Sequence, residues 1–168
     1  MKTIESRDLK KAEIFLKYDK NLDLNFLSDG DKDNNAFTVL IKNYINNKVI
    51  VQMFKGKQKD LDEDIAFINK EVFPFLQKYN FDFNKENKFG STPLIIALKY
   101  DYVEIIDGLL DAGANINYIT SEGSSIRDVV EELKKKSKDN ESISVIEKKL
   151  LEHNSSYLNK QTKEKRML

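Results

Sequence analysis

The chain has 168 residues, and its 28 Lys and Arg are balanced by 28 Asp and Glu. Zero net charge removes the global electrostatic case for a nucleic-acid or membrane-surface protein. No cysteine occurs, so disulfide frameworks, thiolate nucleophiles, iron–sulfur clusters and Cys-type zinc sites are excluded, and a reducing compartment is the consistent setting. A hydrophobic content of 40% is enough for a core. Two prolines and six glycines in a chain rich in Leu, Ile, Lys and Glu point to helices.

The stretch from Met1 to Asp8 lacks the apolar core of a signal peptide, and no apolar run approaches the ~18 residues of a membrane span. A cytoplasmic protein is expected. Leu9 to Leu16, with Leu22 and Leu24 behind it, reads as the second helix and exit of a truncated helical unit. Asp29, Asp31 and Asp33 form an acidic turn. Phe37-Thr38-Val39-Leu40 opens a further helix, which carries Lys42, Ile45 and Asn46. Residues 49–64 read as an insertion that lengthens the helices of this unit or the loop between them. A degenerate extra repeat over 48–68 is the competing reading. The next helix carries Ile65, Phe67, Ile68 and Val72, and Val72 to Tyr79 supplies the second helix of the unit.

From Val72 onward the chain repeats itself at an offset of 33, within the roughly 20–50-residue periods that mark stacked-repeat architectures. Val72–Leu76 recurs as Ile105–Leu109, Phe81–Asn84 as Ala114–Asn117, and Gly90-Ser91-Thr92 as Gly123-Ser124-Ser125. The best-preserved unit is 87–117. Gly90 suits a turn with positive φ, and Thr92 caps a helix whose first residue is Pro93. Leu94, Ala97 and Leu98 share one face of that helix. A reversal near Asp101 leads to a second helix with Ile105, Ile106, Leu109 and Leu110, which Gly113 ends in the left-handed conformation. The last copy starts at Gly123, has a polar reversal over Lys134–Glu141, and ends in a helix from Ile143 to His153 that carries Ile146, Leu150 and Leu151. The domain is thus expected to span 1–153, with 154–168 as a basic, flexible tail.

This unit resembles the ankyrin repeat. Gly90, Thr92-Pro93-Leu94, Ala97, Leu109-Leu110, Gly113-Ala114 and Asn117 fall at that family's positions. The departures are Ile95 for its usual His, Leu98 for its second Ala, and Asp101 for its Gly. The resemblance implies an all-α helix-turn-helix repeat solenoid of about four units, the terminal ones degenerate caps. It also implies a concave face that binds other proteins.

Chemistry is scarce. His153 is the one histidine, and at the end of its predicted helix it complements the dipole. One His and no Cys leave no catalytic triad and no zinc motif, and no phosphate-binding glycine loop occurs. A non-enzyme is expected, with no catalytic residue, metal or cofactor. Asp60, Asp62, Asp64 and Glu71 reproduce the ligand spacing of a calcium loop, but β-branched Ile65 stands where its sharp turn needs glycine. The plain reading is an acidic helix start, with calcium-responsiveness as the alternative. Lys134–Lys136 and the tail's Lys160, Lys163, Lys165 and Arg166 are diluted by acids and lack interleaved aromatics, so no nucleic acid is expected.

The partner-binding positions expected from the alignment are Lys85, Lys88, Phe89, Tyr118 and Glu122 around the turns. Along the first helices they are Lys42, Asn46, Ile96, Lys99, Tyr100 and Tyr102. Exposed aromatics ringed by charge have the composition of a hot spot within a polar rim. Tyr100 and Tyr102 have a second reading, as cover for the helix reversal. The expected role is a non-catalytic protein-binding module, monomeric apart from its partner. A small bacterial stand-alone array suggests an immunity protein acting as a toxin inhibitor, with a secreted effector of host proteins as the alternative.

Overall fold

The computed structural model describes residues 9–18, 24, 58–87, 89–136 and 140–166. The helices are α1 (Leu9–Tyr18), α2 (Gln58–Phe67), a π-helical turn (Ile68–Val72), α3 (Phe73–Lys78), α4 (Pro93–Lys99), α5 (Val103–Asp111), α6 (Ile126–Lys136) and α7 (Asn140–Arg166). The only β pairing among the described residues is one isolated bridge between Ile119 and Ser125.

α2, the π turn and α3 form one unbroken helical run from Gln58 to Lys78. Moved back by one repeat, the start of α5 at Val103 falls on Lys70, so this helical run begins well ahead of its counterpart. The described part of the insertion, from residue 58 onward, is continuous with the second helix. The π turn has a local cause in Pro74, which has no N–H and whose ring would press on the carbonyl of Lys70 in a regular α-helix. The chain widens instead, and the Phe73 N–H reaches back to the carbonyl of Ile68. The calcium alternative ends here. Asp62 and Asp64 lie on α2, where residues two apart point roughly 200° away from each other, so they cannot converge as in a loop.

The offset is written into the hydrogen bonds. At the end of α3 the Phe81 N–H donates to Leu76 O at 2.9 Å and the Asn80 N–H to Gln77 O at 3.0 Å. At the end of α5 the Ala114 N–H donates to Leu109 O at 2.9 Å and the Gly113 N–H to Leu110 O at 3.1 Å. Both helices thus close through a left-handed residue, Asn80 at φ 56° and Gly113 at φ 108°. The turns repeat as well. Asn87 N–H to Ser91 O (3.0 Å) recurs as Thr120 N–H to Ser124 O (2.9 Å). Gly90 N–H to Asn87 O (3.0 Å) recurs as Gly123 N–H to Thr120 O (2.8 Å). Each turn then hands over to a capped helix. Thr92 Oγ1 accepts from the Ile95 N–H at 3.4 Å, and Ser125 Oγ accepts from the Asp128 N–H at 3.2 Å. Asp128 also accepts from the Ser125 N–H at 2.8 Å, which completes a reciprocal cap.

Packing follows from these units. The first helices α4 and α6 lie against each other, and α5 packs on the π turn on one side and on α7 on the other. Two helical layers result, with α4 against α5 and α6 against α7 closing each unit. Leu94, Ile95, Ala97, Leu98, Ile105, Ile106 and Leu109 are fully buried between them, and Phe73, Phe75, Leu76, Phe81 and Phe83 extend the same core. Ile95, which replaces the family's polar His, has become a core residue. Burying each large aliphatic side chain contributes about 2–3 kcal/mol, so no thin unit is stable without its neighbours.

One expectation at the C-terminal end, the place of His153, is corrected. α7 does not stop near His153 but runs on to Arg166. His153 therefore sits inside a helix and not at its end, so it caps nothing. Leu151 does not face the core and is 67% exposed, because Ile143, Ile146 and Leu150 already fill the buried stripe of α7.

Candidate protein-binding surface

The turn from Asp82 to Thr92 is rigid because short polar side chains hold its backbone. Asp82 Oδ1 accepts from the Asn84 N–H at 2.8 Å. Asn87 Oδ1 accepts from the N–H groups of both Phe89 and Ser91 at 3.0 Å. Gly90, at φ 64°, reverses the chain. Phe89 is left at the tip, 65% exposed. Glu122 occupies the matching place on the next turn, and its side chain lies over Gly90, where an added Cβ would stand 3.3 Å from Glu122 Cδ. Ile119, on the approach to that second turn, is also 65% exposed.

Side chains tie the two turns together. Asn84 Oδ1 accepts from the Asn115 N–H at 2.7 Å, and its Nδ2 donates to Gly113 O at 3.1 Å. Glu86 accepts from the Tyr118 hydroxyl (3.0 Å), the Ser121 N–H (2.7 Å) and the Ser121 hydroxyl (2.5 Å). The Ser121 hydroxyl above all, then the Ser121 N–H and the Tyr118 hydroxyl, hold the Glu86 carboxyl below its ordinary pKa against a smaller opposing effect of burial. Along the first helices, Lys99 Nζ reaches back to Ser91 Oγ at 3.4 Å. One repeat on, Glu132 bonds Lys136 at 2.5 Å; that bond first, with Lys99 also contributing, lowers its carboxyl pKa.

The sequence-derived positions separate accordingly. Phe89, Lys99 and Glu122 are exposed near the turns, with Tyr118 and Lys85 half-buried between them. Ile96 is half-buried and packs on the core. Tyr100 is 60% exposed at the opposite end of α4 from Phe89. Tyr102 is a correction. It is 3% exposed, because the reversal at Asp101 (φ 57°) turns it inward beneath Tyr100. The two rings stack at 5.9 Å with 15° between their planes. Burial foremost, with Tyr100 adding, pushes the Tyr102 hydroxyl up to about 12. Lys42, Asn46 and Lys88, with Ile45 and Asp29 to Asp33, lie outside the described residues. Ile119 falls within the turn from Tyr118 to Glu122 that the sequence places on the expected binding face, and its 65% exposure singles it out. No cluster of His, Asp or Glu fit to hold a metal occurs among the described residues.

The fold and this surface define a class: stacked helix-turn-helix units that offer ordered turn tips and first helices on one side. Residues 89–121 match the family model of the ankyrin repeat. That stretch is an ankyrin repeat, which supports a protein–protein interaction module. The matched stretch holds the reversal at Gly90, the helix capped by Thr92 and the left-handed closure at Gly113. No curated protein and no solved structure matches the chain. No helix among the described residues is long and apolar enough to cross a membrane.

Proposed function

We infer that the chain is a non-catalytic module that holds its partner against the turn tips, with Phe89 and Ile119 as apolar anchors inside a rim of Lys85, Lys99 and Glu122. The reading is carried by one observation. Two large apolar side chains, each 65% exposed, stand on turns whose backbone is already fixed by hydrogen bonds. A preordered surface loses little entropy on docking, and exposed apolar groups ringed by charge have the make-up of a hot spot. In its sharper form the partner is a toxin domain, and the chain acts as an immunity protein by covering it.

The test is titration of the full chain against a toxin domain that copurifies with it, read by the toxin's activity. Inhibition at equimolar chain is expected, together with a loss of affinity of about tenfold or more in Phe89→Ala/Ile119→Ala. Toxin activity untouched by a molar excess of chain rules out the immunity role. Unchanged affinity in the double variant rules out the turn tips as the binding face.

A further inference from the structure

Glu86 and Ile119 hold the same place in successive repeats, 33 residues apart. They do opposite things there. Glu86 grips the turn that follows: its Oε1 accepts from the Tyr118 hydroxyl at 3.0 Å and the Ser121 N–H at 2.7 Å, and its Oε2 from the Ser121 hydroxyl at 2.5 Å. The side chain of Ile119 carries no acceptor and stands 65% exposed. One repeat further on, the same place falls at Glu152, inside α7, which is helix and not turn.

The grip closes around Ile119. Asn84 fixes the start of the second turn, through Gly113 O and the Asn115 N–H. Glu86 takes hold further along, at Tyr118 and Ser121, which flank Ile119. Its own turn ties it to Phe89, because the neighbouring Asn87 accepts from the Phe89 N–H at 3.0 Å. Thr120 Oγ1 accepts from the Ser124 N–H at 3.0 Å and so shapes the second turn from within. Bonds inside a turn leave its distance from the other turn open. Those of Glu86 span the two.

Resting on the turn-tip reading of the partner face, we propose that Glu86 is a positioning residue: it sets Ile119 relative to Phe89, so that the two anchors reach a partner as one patch. Its three bonds all run to the following turn, so it acts through the anchors and not by touching the partner. Anchors free to shift against each other would have to be ordered on docking, which lowers affinity. Glutamine preserves the arrangement. Its carbonyl oxygen still accepts from the Tyr118 hydroxyl and the Ser121 N–H, and its amide donates to the Ser121 hydroxyl oxygen. Alanine removes all three bonds.

Nitroxide spin labels on Phe89→Cys/Ile119→Cys read the spacing of the anchors directly, since the chain has no cysteine of its own. A single narrow distance distribution is expected with Glu86 in place, a broadened one with Glu86→Ala, and a narrow one again with Glu86→Gln. Circular dichroism at the measuring temperature checks that each variant is folded. In the unlabelled chain, affinity for the copurifying toxin domain should fall about tenfold in Glu86→Ala and stay within about twofold of the wild type in Glu86→Gln. A distribution that stays narrow in Glu86→Ala, a broadening that Glu86→Gln does not reverse, or an affinity that Glu86→Ala leaves unchanged overturns the positioning role and leaves the turn-tip reading intact. Binding that Phe89→Ala/Ile119→Ala does not weaken overturns the turn-tip reading itself, and the proposal with it.

Discussion

The hydroxyl of Tyr118 donates to Oε1 of Glu86 at 3.0 Å, reaching from one turn to the one before it. With the two bonds from Ser121, it makes Glu86 the clasp between the turns of successive repeats.

That clasp is pH-sensitive. The Glu86 carboxyl is held below its ordinary pKa in the folded chain, so as pH falls the unfolded state binds the proton first. Its stabilisation is present above the ordinary carboxylate pKa of about 4.5 and is lost as pH drops through the lowered, folded value. Urea midpoints measured from pH 6 down to about pH 3 should fall less for Glu86→Gln than for the wild type. Equal slopes would mean the clasp carries no linkage.

Tyr100 and Tyr102 should part company on mutation. Tyr102→Ala empties a buried ring site and should cost about 3–5 kcal/mol, whereas Tyr100→Ala should stay within about 0.5 kcal/mol. Chemical denaturation measures both. The alkaline side adds a second readout. With the folded Tyr102 at about 12 and its ordinary value at 10, the stability it confers is complete below pH 10 and is lost between those values as pH rises. An ultraviolet titration of tyrosinate in the native chain should show one ring ionising later than the others, absent in Tyr102→Phe.

Gly108→Ala should destabilise, against the usual preference of helices for alanine of about 1 kcal/mol. A Cβ at Gly108 would come within 2.8 Å of the Phe73 ring and closer still to Asn69 Oδ1, where α5 meets the π turn. Phe73 is buried and cannot yield, so a loss of about 1–3 kcal/mol is expected in the unfolding free energy. A gain in stability would show that the two second helices separate readily.

Asn80 takes the left-handed conformation that Gly113 takes one repeat later. Asn80→Gly should leave stability within about 0.5 kcal/mol of the wild type, while Asn80→Val, β-branched at φ 56°, should lose more than about 1 kcal/mol. Thermal melts of the pair decide it, and an unharmed valine variant would mean the helix ends elsewhere.

Much of this protein was legible because the informative signals are local. Thr92 and Ser125 cap whichever helix follows them, Gly90 and Gly113 reverse the chain because they lack a Cβ, and apolar residues at helical spacing need a buried face. The equal offset of these signals then defines the repeat. Pro74 was a local signal too, since a proline inside a helix demands relief. The relief taken here is a π turn, with Ile68 and Val72 buried.

Other features depend on neighbours distant in sequence. Tyr100 and Tyr102 have the same side chain two positions apart, and only the direction of the turn at Asp101 decides which one is covered. Leu150 and Leu151 differ in the same way on α7. Gly108 meets Asn69 from a different repeat, and nothing near either residue announces the contact. The amino-acid sequence by itself determined the helical units, their period and their caps, because each rests on interactions within a few residues. The tertiary structure alone decided which aromatic and aliphatic side chains reach solvent, because burial is set by the unit stacked alongside.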